Sequence, residues 1–390
     1  MRRTYDLVLF GATGFTGGLT AEYLARHAPA GCRWALAGRN TAKLEALRSR
    51  LERINPDCAG LPLLRADSAD PASLRALASD TRVVATTVGP YLEYGEPLVA
   101  ACADAGTDYA DLSGEPEFVD RMYLHHHARA QETGARLVHA CGFDSVPHDL
   151  GVHYTVGLLP EGVPLRVDAF VRSNATFSGG TLASALTAMS RPLGSVRTAR
   201  ARRGSETRSP GRRTRAPLGP PVHRRDLGVW AVPLPTIDPQ IVERSAAALE
   251  RYGPDFRYRH YAAVKWLPVA AGGAAGAAGL FALAQIPPAR RWLSGRLEPG
   301  TGPGPDRRAR SWFTVRFVAE GGGRNVVTEV AGGDPGYEET AKMLAESAMC
   351  LAFDDLPATS GQVTTAVAMG GALTARLTAA GLNFRVIRAS

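Results

Sequence analysis

No C-x-x-C pair occurs in this 390-residue chain, and its five cysteines (Cys32, Cys58, Cys102, Cys141 and Cys350) are scattered. An odd, dispersed set in a long chain excludes a disulfide framework and offers no zinc spacing; it is the pattern of reduced thiols in a cytoplasmic protein. A cleaved leader is not expected either. Met1–Phe10 carries two arginines, and its short apolar run Tyr5–Phe10 passes straight into a glycine turn, as a first strand does. The successive His125, His126 and His127 point in three directions around a helix and cannot share one ion, so no metal is expected. Positive charge is missing from most of the chain. The formal net charge is +8, yet residues 191–226 hold eleven arginines against Glu206 and Asp226, a local +9 that leaves the remainder near −1. The high pI therefore belongs to one segment. That segment has no interleaved aromatics and no reader motif, so a nucleic-acid partner is not expected.

What the chain does have is Gly11–Ala12–Thr13–Gly14–Phe15–Thr16–Gly17 between the apolar run and the helix-like stretch Leu19–His27. Strand, tight glycine turn and helix in that order are the context of a dinucleotide site. Glycine permits the turn and a close backbone approach, and the helix start offers unpaired N–H groups to a pyrophosphate. A second strand, Arg33–Arg39, ends in Gly38–Arg39–Asn40, where an NAD-preferring protein carries an acidic residue for the ribose hydroxyl. Arginine there suits a 2′-phosphate, so the coenzyme expected is NADP(H). Leu61–Asp67 reads as a third strand whose Asp67 ends near the adenine, and Arg82–Val88 as a fourth. Strands alternating with helices at this spacing give a doubly wound parallel sheet. The loop Val88–Gly89–Pro90–Tyr91, with Tyr94 and Gly95 beyond it, should border the nicotinamide half. Tyr91 and Tyr94 are candidate proton donors, with packing in the loop as the plainer role for each. The turn from Cys141 and Gly142 through Asp144 and Ser145 to Gly151 mixes Gly, Asp, Ser, Pro and His at the ligand edge, and its backbone N–H groups are candidate oxyanion donors.

Taken together, the glycine turn, Gly38–Arg39–Asn40, Val88–Tyr91, Asp111–Leu112–Ser113–Gly114–Glu115 and Cys141–Gly151 resemble the saccharopine dehydrogenase-like oxidoreductases. Within these the chain looks most like the actinobacterial trans-acting enoyl reductases, and the likeness extends through Ser178–Thr181, Arg251–Tyr258 and Gly332–Leu344. The resemblance implies an NADP-binding domain, a second α+β domain and reduction of lipid-type substrates. One departure matters. Ser145–Val146 replaces the Pro-Gly of the saccharopine reductases' Gly-x-Asp-Pro-Gly turn, which weakens a reading as saccharopine imine reductase.

The expected architecture is a Rossmann-type doubly wound α/β domain over residues 1–151, followed by an α+β domain on an antiparallel sheet over 152–355. A tail, 356–390, would carry a helix and a strand that could return to the first domain. Ser178–Thr181 reads as a turn capping a helix from Leu182 to Ser190. Trp312–Glu320 and Arg324–Val330 read as a hairpin covered by a helix from Thr340 to Phe353. Residues 191–226 read as a mobile basic excursion, either merely solvated or facing an anionic membrane or an acidic acyl-carrier protein of a polyketide-type synthase. Trp266–Ile286 has no charge over 21 positions. It is long enough to span a bilayer, but Ala, Gly, Pro268 and Gln285 make it weakly hydrophobic. A helix on the inner membrane face, anchored by Arg290, Arg291 and Trp292, and a soluble packing helix both remain open, as does a homodimer. The functions weighed are enoyl reduction on a lipid or polyketide-type acyl substrate in lipid or glycolipid biosynthesis, imine reduction on an amino acid, and a non-catalytic NADP-binding scaffold.

Overall fold

The computed structural model describes residues 3–175, 190–206, 210–286, 288 and 302–390. Ser178–Thr181, Leu182–Met189 and the triplet Arg290, Arg291, Trp292 lie outside the described residues. In chain order the strands are β1 (Tyr5–Phe10), β2 (Trp34–Gly38), β3 (Leu63–Arg65), β4 (Thr81–Thr86), β5 (Asp108–Asp111), β6 (Arg136–Val138) and β7 (Leu165–Ser173). They continue as β8 (Arg213–Arg215), β9 (Val222–Arg224), β10 (Val229–Pro233), β11 (Asp255–Val264), β12 (Phe313–Gly321), β13 (Arg324–Gly332), β14 (Gly361–Val363) and β15 (Asn383–Ala389).

The first sheet runs β14-β6-β5-β4-β1-β2-β3, with every pairing parallel. That is the 3-2-1-4-5-6 order of a dinucleotide-binding sheet, extended by one strand at the β6 edge. Leu7, Val8 and Leu9 on β1 and Ala35–Ala37 on β2 are buried, because helices cover both faces. Local chemistry sets the helix ends. Asn40 caps the helix Thr41–Glu52 by accepting from the Lys43 amide, and Asp70 caps Pro71–Ser79 through the Ala72 and Ser73 amides.

The second sheet runs β15-β13-β12-β7-β11-β10-β9, with β8 beside β11. The hairpin read between Trp312 and Val330 is β12–β13. The sheet is mostly antiparallel, but β11 pairs in parallel with both β7 and β8.

One helix covers a different sheet from the one its pattern suggested, and a second begins inside the stretch read as a turn. The helix Glu338–Phe353 lies on the parallel sheet against β1, β4, β5 and the helix Phe15–His27, where the Tyr23 hydroxyl donates to Glu346 Oε1 at 2.7 Å. Its apolar residues encircle it, so its stripe names no partner. The helix Val146–Val156 covers the second sheet instead, and a Cβ on Gly151 would stand 2.4 Å from the Phe317 ring. A boundary at 151 thus falls inside a helix common to both halves. The tail divides: β14 extends the parallel sheet and β15 pairs with β13.

Residues 191–226 are a correction. Their described part holds the helix Pro192–Ser205 and strands β8 and β9 rather than a loose excursion. Arg191 binds Glu117 at 3.0 Å, and Arg202, only 2% exposed, sits 2.5 Å from Asp120 and also pairs with Glu206. Composition marked the charge but not its buried carboxylate partners. Trp266–Ile286 contains the helix Leu267–Ala284, with Trp266 71% and Val269 60% exposed. No described helix is long and apolar enough to cross a membrane.

Candidate coenzyme and catalytic site

Every loop singled out in the first domain leaves the carboxyl end of a parallel strand, so the sheet gathers them along one edge. At the β1–β4 switch point the chain turns at Gly11, whose φ of +83° favours glycine and whose added Cβ would meet Val88 at 2.7 Å. The Gly11 amide donates to Ala37 O, and Thr87 Oγ1 donates to Gly11 O at 3.1 Å. Gly17 is equally constrained: a Cβ there would lie 2.2 Å from Gly11 O. Gly14, by contrast, is exposed, has extended backbone, and caps the helix Phe15–His27 without a side-chain bond. Thr13 and Gly14 thus leave the first amides of that helix open to an anion. Phe15 is partly covered from the second domain, by Tyr337 edge-on at 4.8 Å and by Arg308 over its ring at 5.6 Å. Thr16 O accepts from the Thr20 hydroxyl, an intrahelical bond.

Arg39 is exposed just beyond the end of β2, while the Asn40 side chain is committed to its cap. Asp67 is partly exposed and accepts from the Ala69 amide. Val88 is half-buried and Gly89 exposed, beside Pro90.

Several candidates prove to be scaffolding. Tyr91 is 5% exposed; its hydroxyl donates to Thr86 O at 3.2 Å and accepts from the Leu112 amide at 3.1 Å. Burial holds that phenol well above its usual range, so Tyr91 is not an available acid. Cys141 is fully buried and its amide is bound to Asp111 O at 2.7 Å, which removes it from contact with a coenzyme. Gly142 is a close-packing point, since a Cβ there would meet Leu112 at 2.8 Å and Thr340 at 3.0 Å. The Phe143 and Ser145 amides, candidate oxyanion donors, are already spent on Thr340 Oγ1 and Ala140 O. Tyr94 is exposed (44%) and so remains available.

The turn itself is held by carboxylates. Asp111 is fully buried and accepts from Tyr109, Ser113 and Ala140, with His139 Nδ1 2.6 Å away. Glu115 accepts from the Tyr91 and Leu92 amides at 3.0 and 2.9 Å, which fixes the Val88–Tyr91 loop.

Asp144 lies in the same turn. It is partly exposed, and its Oδ2 lies 3.4 Å from where a Gly114 Cβ would be, an ordinary contact distance. Burial, with the nearby Asp238 charge adding to it, pushes the Asp144 carboxyl up to about 7. Beside it Ser145 Oγ is buried with no hydrogen-bond partner. Phe143 packs edge-on against Phe313 at 4.9 Å and His148 at 5.2 Å, which anchors the turn against the core.

Sequence reasoning passed over one group. His148, Asp238 and His260 meet next to Asp144 with ligand-type atoms within 4.8 Å of one another. Burial lowers both histidines to about 3, so both rings are neutral. Residues so far apart in the chain leave no local signal.

The geometry is that of a dinucleotide cleft, and comparison with known proteins decides its kind. Residues 7–138 match the family model described as the saccharopine dehydrogenase NADP binding domain. The chain is 38% identical to the trans-acting enoyl reductase of Mycobacterium bovis, over 100% of this chain and 99% of that one. The Mycobacterium leprae protein of the same name gives the same figures. A Mycobacterium tuberculosis relative whose name places it in the same family is 42% identical over 99% of this chain and 98% of its own. The chain belongs to the trans-acting enoyl reductase family. It is an NADP(H)-dependent oxidoreductase. Its fold is shared with saccharopine dehydrogenase of Saccharomyces cerevisiae, which aligns over 98% of this chain and 99% of that one at a TM-score of 0.55 with 11% identity.

Proposed function

We propose that this family member reduces the C=C bond of an enoyl thioester on a lipid or polyketide-type acyl chain, with NADPH as donor and Asp144 as the proton source. The observation that carries the reading is the full-length similarity to trans-acting enoyl reductases at 38–42% identity; the partly exposed Asp144 carboxyl, which burial pushes upward, suits the proton source. Bound NADPH supplies a hydride to the β-carbon of the enoyl group. The chain's own work is placement and proton supply. The Gly14 turn receives the pyrophosphate, Arg39 the 2′-phosphate, and the Glu115-held loop Val88–Tyr91 borders the ring. Asp144 then delivers its proton to the α-carbon, and the saturated thioester leaves. The imine alternative needs cations for several carboxylates. Arg191, Arg202, Arg215 and Arg224 are instead paired with acids of this chain.

Two surfaces suit delivery of an acyl chain. The helix Pro192–Ser205 exposes Arg197 and Arg200, which would meet an acidic acyl-carrier protein. Trp266, Leu267, Val269, Phe281 and Ile286 are exposed along the helix Leu267–Ala284 and would rest on a membrane's inner face.

The test is NADPH oxidation with a panel of enoyl thioesters against 2-oxoglutarate plus lysine, with label from 4-deuterated NADPH traced in the product. Deuterium at the β-carbon of a saturated thioester is expected. Turnover with the keto acid and lysine alone would replace this reading with imine reduction.

A further inference from the structure

The coenzyme reading leaves His148, Asp238 and His260 without a task. His148 comes from the first turn of the helix Val146–Val156, Asp238 from the first turn of the helix Asp238–Ala248, and His260 from the middle of β11. All three are at most 4% exposed. His148 Nε2 stands 3.6 Å from Asp238 Oδ1, and His260 Nε2 stands 3.4 Å from Asp238 Oδ2. Hydrogen bonds from nitrogen to oxygen centre on about 2.9–3.0 Å, so both separations are long for that purpose. Asp238 Oδ1 and His260 Nε2 indeed have no hydrogen-bond partner, a costly state for buried polar atoms with nothing between them.

The spacing fits another arrangement. Two donors each about 2.0–2.1 Å from a zinc-like ion at a tetrahedral angle stand about 3.3–3.4 Å apart. An octahedral right angle at the same bond length would bring them to about 3.0 Å. The observed separations, one to each carboxylate oxygen, are nearer the tetrahedral figure than the octahedral one, and a small rotation of the carboxyl would turn one oxygen to both nitrogens.

We propose that His148, Asp238 and His260 bind one divalent transition-metal ion of zinc type, leaving a fourth position for water or a substrate oxygen. Two nitrogens and one carboxylate oxygen form a donor set for zinc or cobalt rather than for calcium or magnesium. The surroundings orient two of the three ligands, while His148 Nδ1 has no hydrogen-bond partner. His260 Nδ1 lies 2.8 Å from the Tyr258 hydroxyl, a hydrogen bond that orients the ring, and the Thr236 hydroxyl donates to Asp238 Oδ2. The imidazoles of His148 and His260 meet edge-on at 4.9 Å, so small ring rotations bring both nitrogens onto one ion. The other histidine–carboxylate group, Glu96 with His125 and His126, is partly exposed and already bonded within itself and to Arg121. His126 Nε2 there is likewise buried without a hydrogen-bond partner, but His125 is exposed, whereas all three members of the first group are buried.

An ion on Asp238 would offset the charge that helps raise Asp144, but the test is read by metal uptake, so its failure is distinct from failure of the reductase reading. Full-length protein stripped with a chelator is titrated with Co2+ while its visible spectrum and its NADPH binding are recorded. One equivalent is expected, with ligand-field bands of tetrahedral intensity and no thiolate charge-transfer band. Zn2+ should bleach those bands and raise the thermal midpoint. Asp238→Asn should weaken Co2+ binding roughly 100-fold or more, and Tyr258→Phe roughly 10- to 100-fold. Retained NADPH binding shows that each variant is folded. Should Asp238→Asn fail that check, the wild-type titration and Tyr258→Phe decide. No uptake of Co2+ or Zn2+ by the stripped wild type would overturn the proposal. So would a His148→Gln/His260→Gln protein that binds Co2+ as tightly as the parent.

Discussion

Gly14 and Gly17 stand three residues apart in one turn, yet the structure assigns them different physical roles, and replacing each in turn separates these. A Cβ at Gly17 would lie 2.2 Å from the backbone oxygen of Gly11, where real contacts stay beyond 3.0 Å. The obstacle is backbone rather than a yielding side chain, so in Gly17→Ala the helix Phe15–His27 must retreat from β1 by roughly 1 Å, at a cost of about 1–3 kcal/mol. At Gly14 a Cβ would approach Gly11 O only to 3.4 Å, and the extended φ of −76° suits any residue. Serine there would also cap the helix, taking an amide of Thr16 or Gly17. Gly14→Ser should therefore keep or slightly raise the thermal midpoint while withdrawing a donor from the pyrophosphate. A charge-assisted hydrogen bond is worth about 1.5–3 kcal/mol. At 1.4 kcal/mol per tenfold, NADPH affinity should fall by about 10- to 100-fold. Calorimetry gives the midpoints and nucleotide fluorescence the dissociation constants. Unaltered NADPH affinity in Gly14→Ser would place the pyrophosphate elsewhere, and an unaltered midpoint in Gly17→Ala would refute the packing argument.

Arg39→Ala should weaken NADPH by about 10- to 100-fold and NADH hardly at all, since only NADPH offers a 2′-phosphate; equal losses, measured by titration, would end that assignment. Asp144→Asn should bind NADPH normally and lose about 100-fold or more of its enoyl-reducing turnover, and undiminished turnover would remove Asp144 as the acid. Arg202→Ala strands Asp120 in the interior and should cost about 3–5 kcal/mol by denaturant unfolding, whereas exposed Arg197→Ala should stay within about 0.5 kcal/mol. Like results for the two would mean the basic segment is not anchored. The Arg376 guanidinium grips Asp354 at 2.5 and 2.6 Å and holds its carboxyl below the ordinary 3.8. A lowered folded value stabilises fully above 3.8 and is lost as pH falls through that lower value. The acid-side drop in thermal midpoint should therefore shrink in Arg376→Gln, and an identical pH profile would contradict it.

The coenzyme half of the molecule was readable because its determinants are local. An apolar strand, a turn needing φ of +83° at Gly11 and a helix start lie within one stretch, and parallel connectivity alone brings Arg39, Gly89 and the Asp144 turn to the same edge. Burial was not readable in that way. Tyr91 looks like an acid in the chain, yet its hydroxyl is bound at both ends by Thr86 and Leu112. Arg202 looks like surface charge until Asp120, 82 positions earlier, is found against it. The helix Glu338–Phe353 shows apolar residues on every side, so its pattern could not say which sheet it would cover. His148, Asp238 and His260 are each unremarkable in sequence. The docking of the helix Val146–Val156 onto the second sheet and the pairing of β11 with β7 bring them together. Periodicity and turn chemistry act between neighbours along the chain, so the sequence determined the strands, the turn and the coenzyme class. Desolvation and ligand geometry depend on residues far apart in sequence, and these only the tertiary structure could decide.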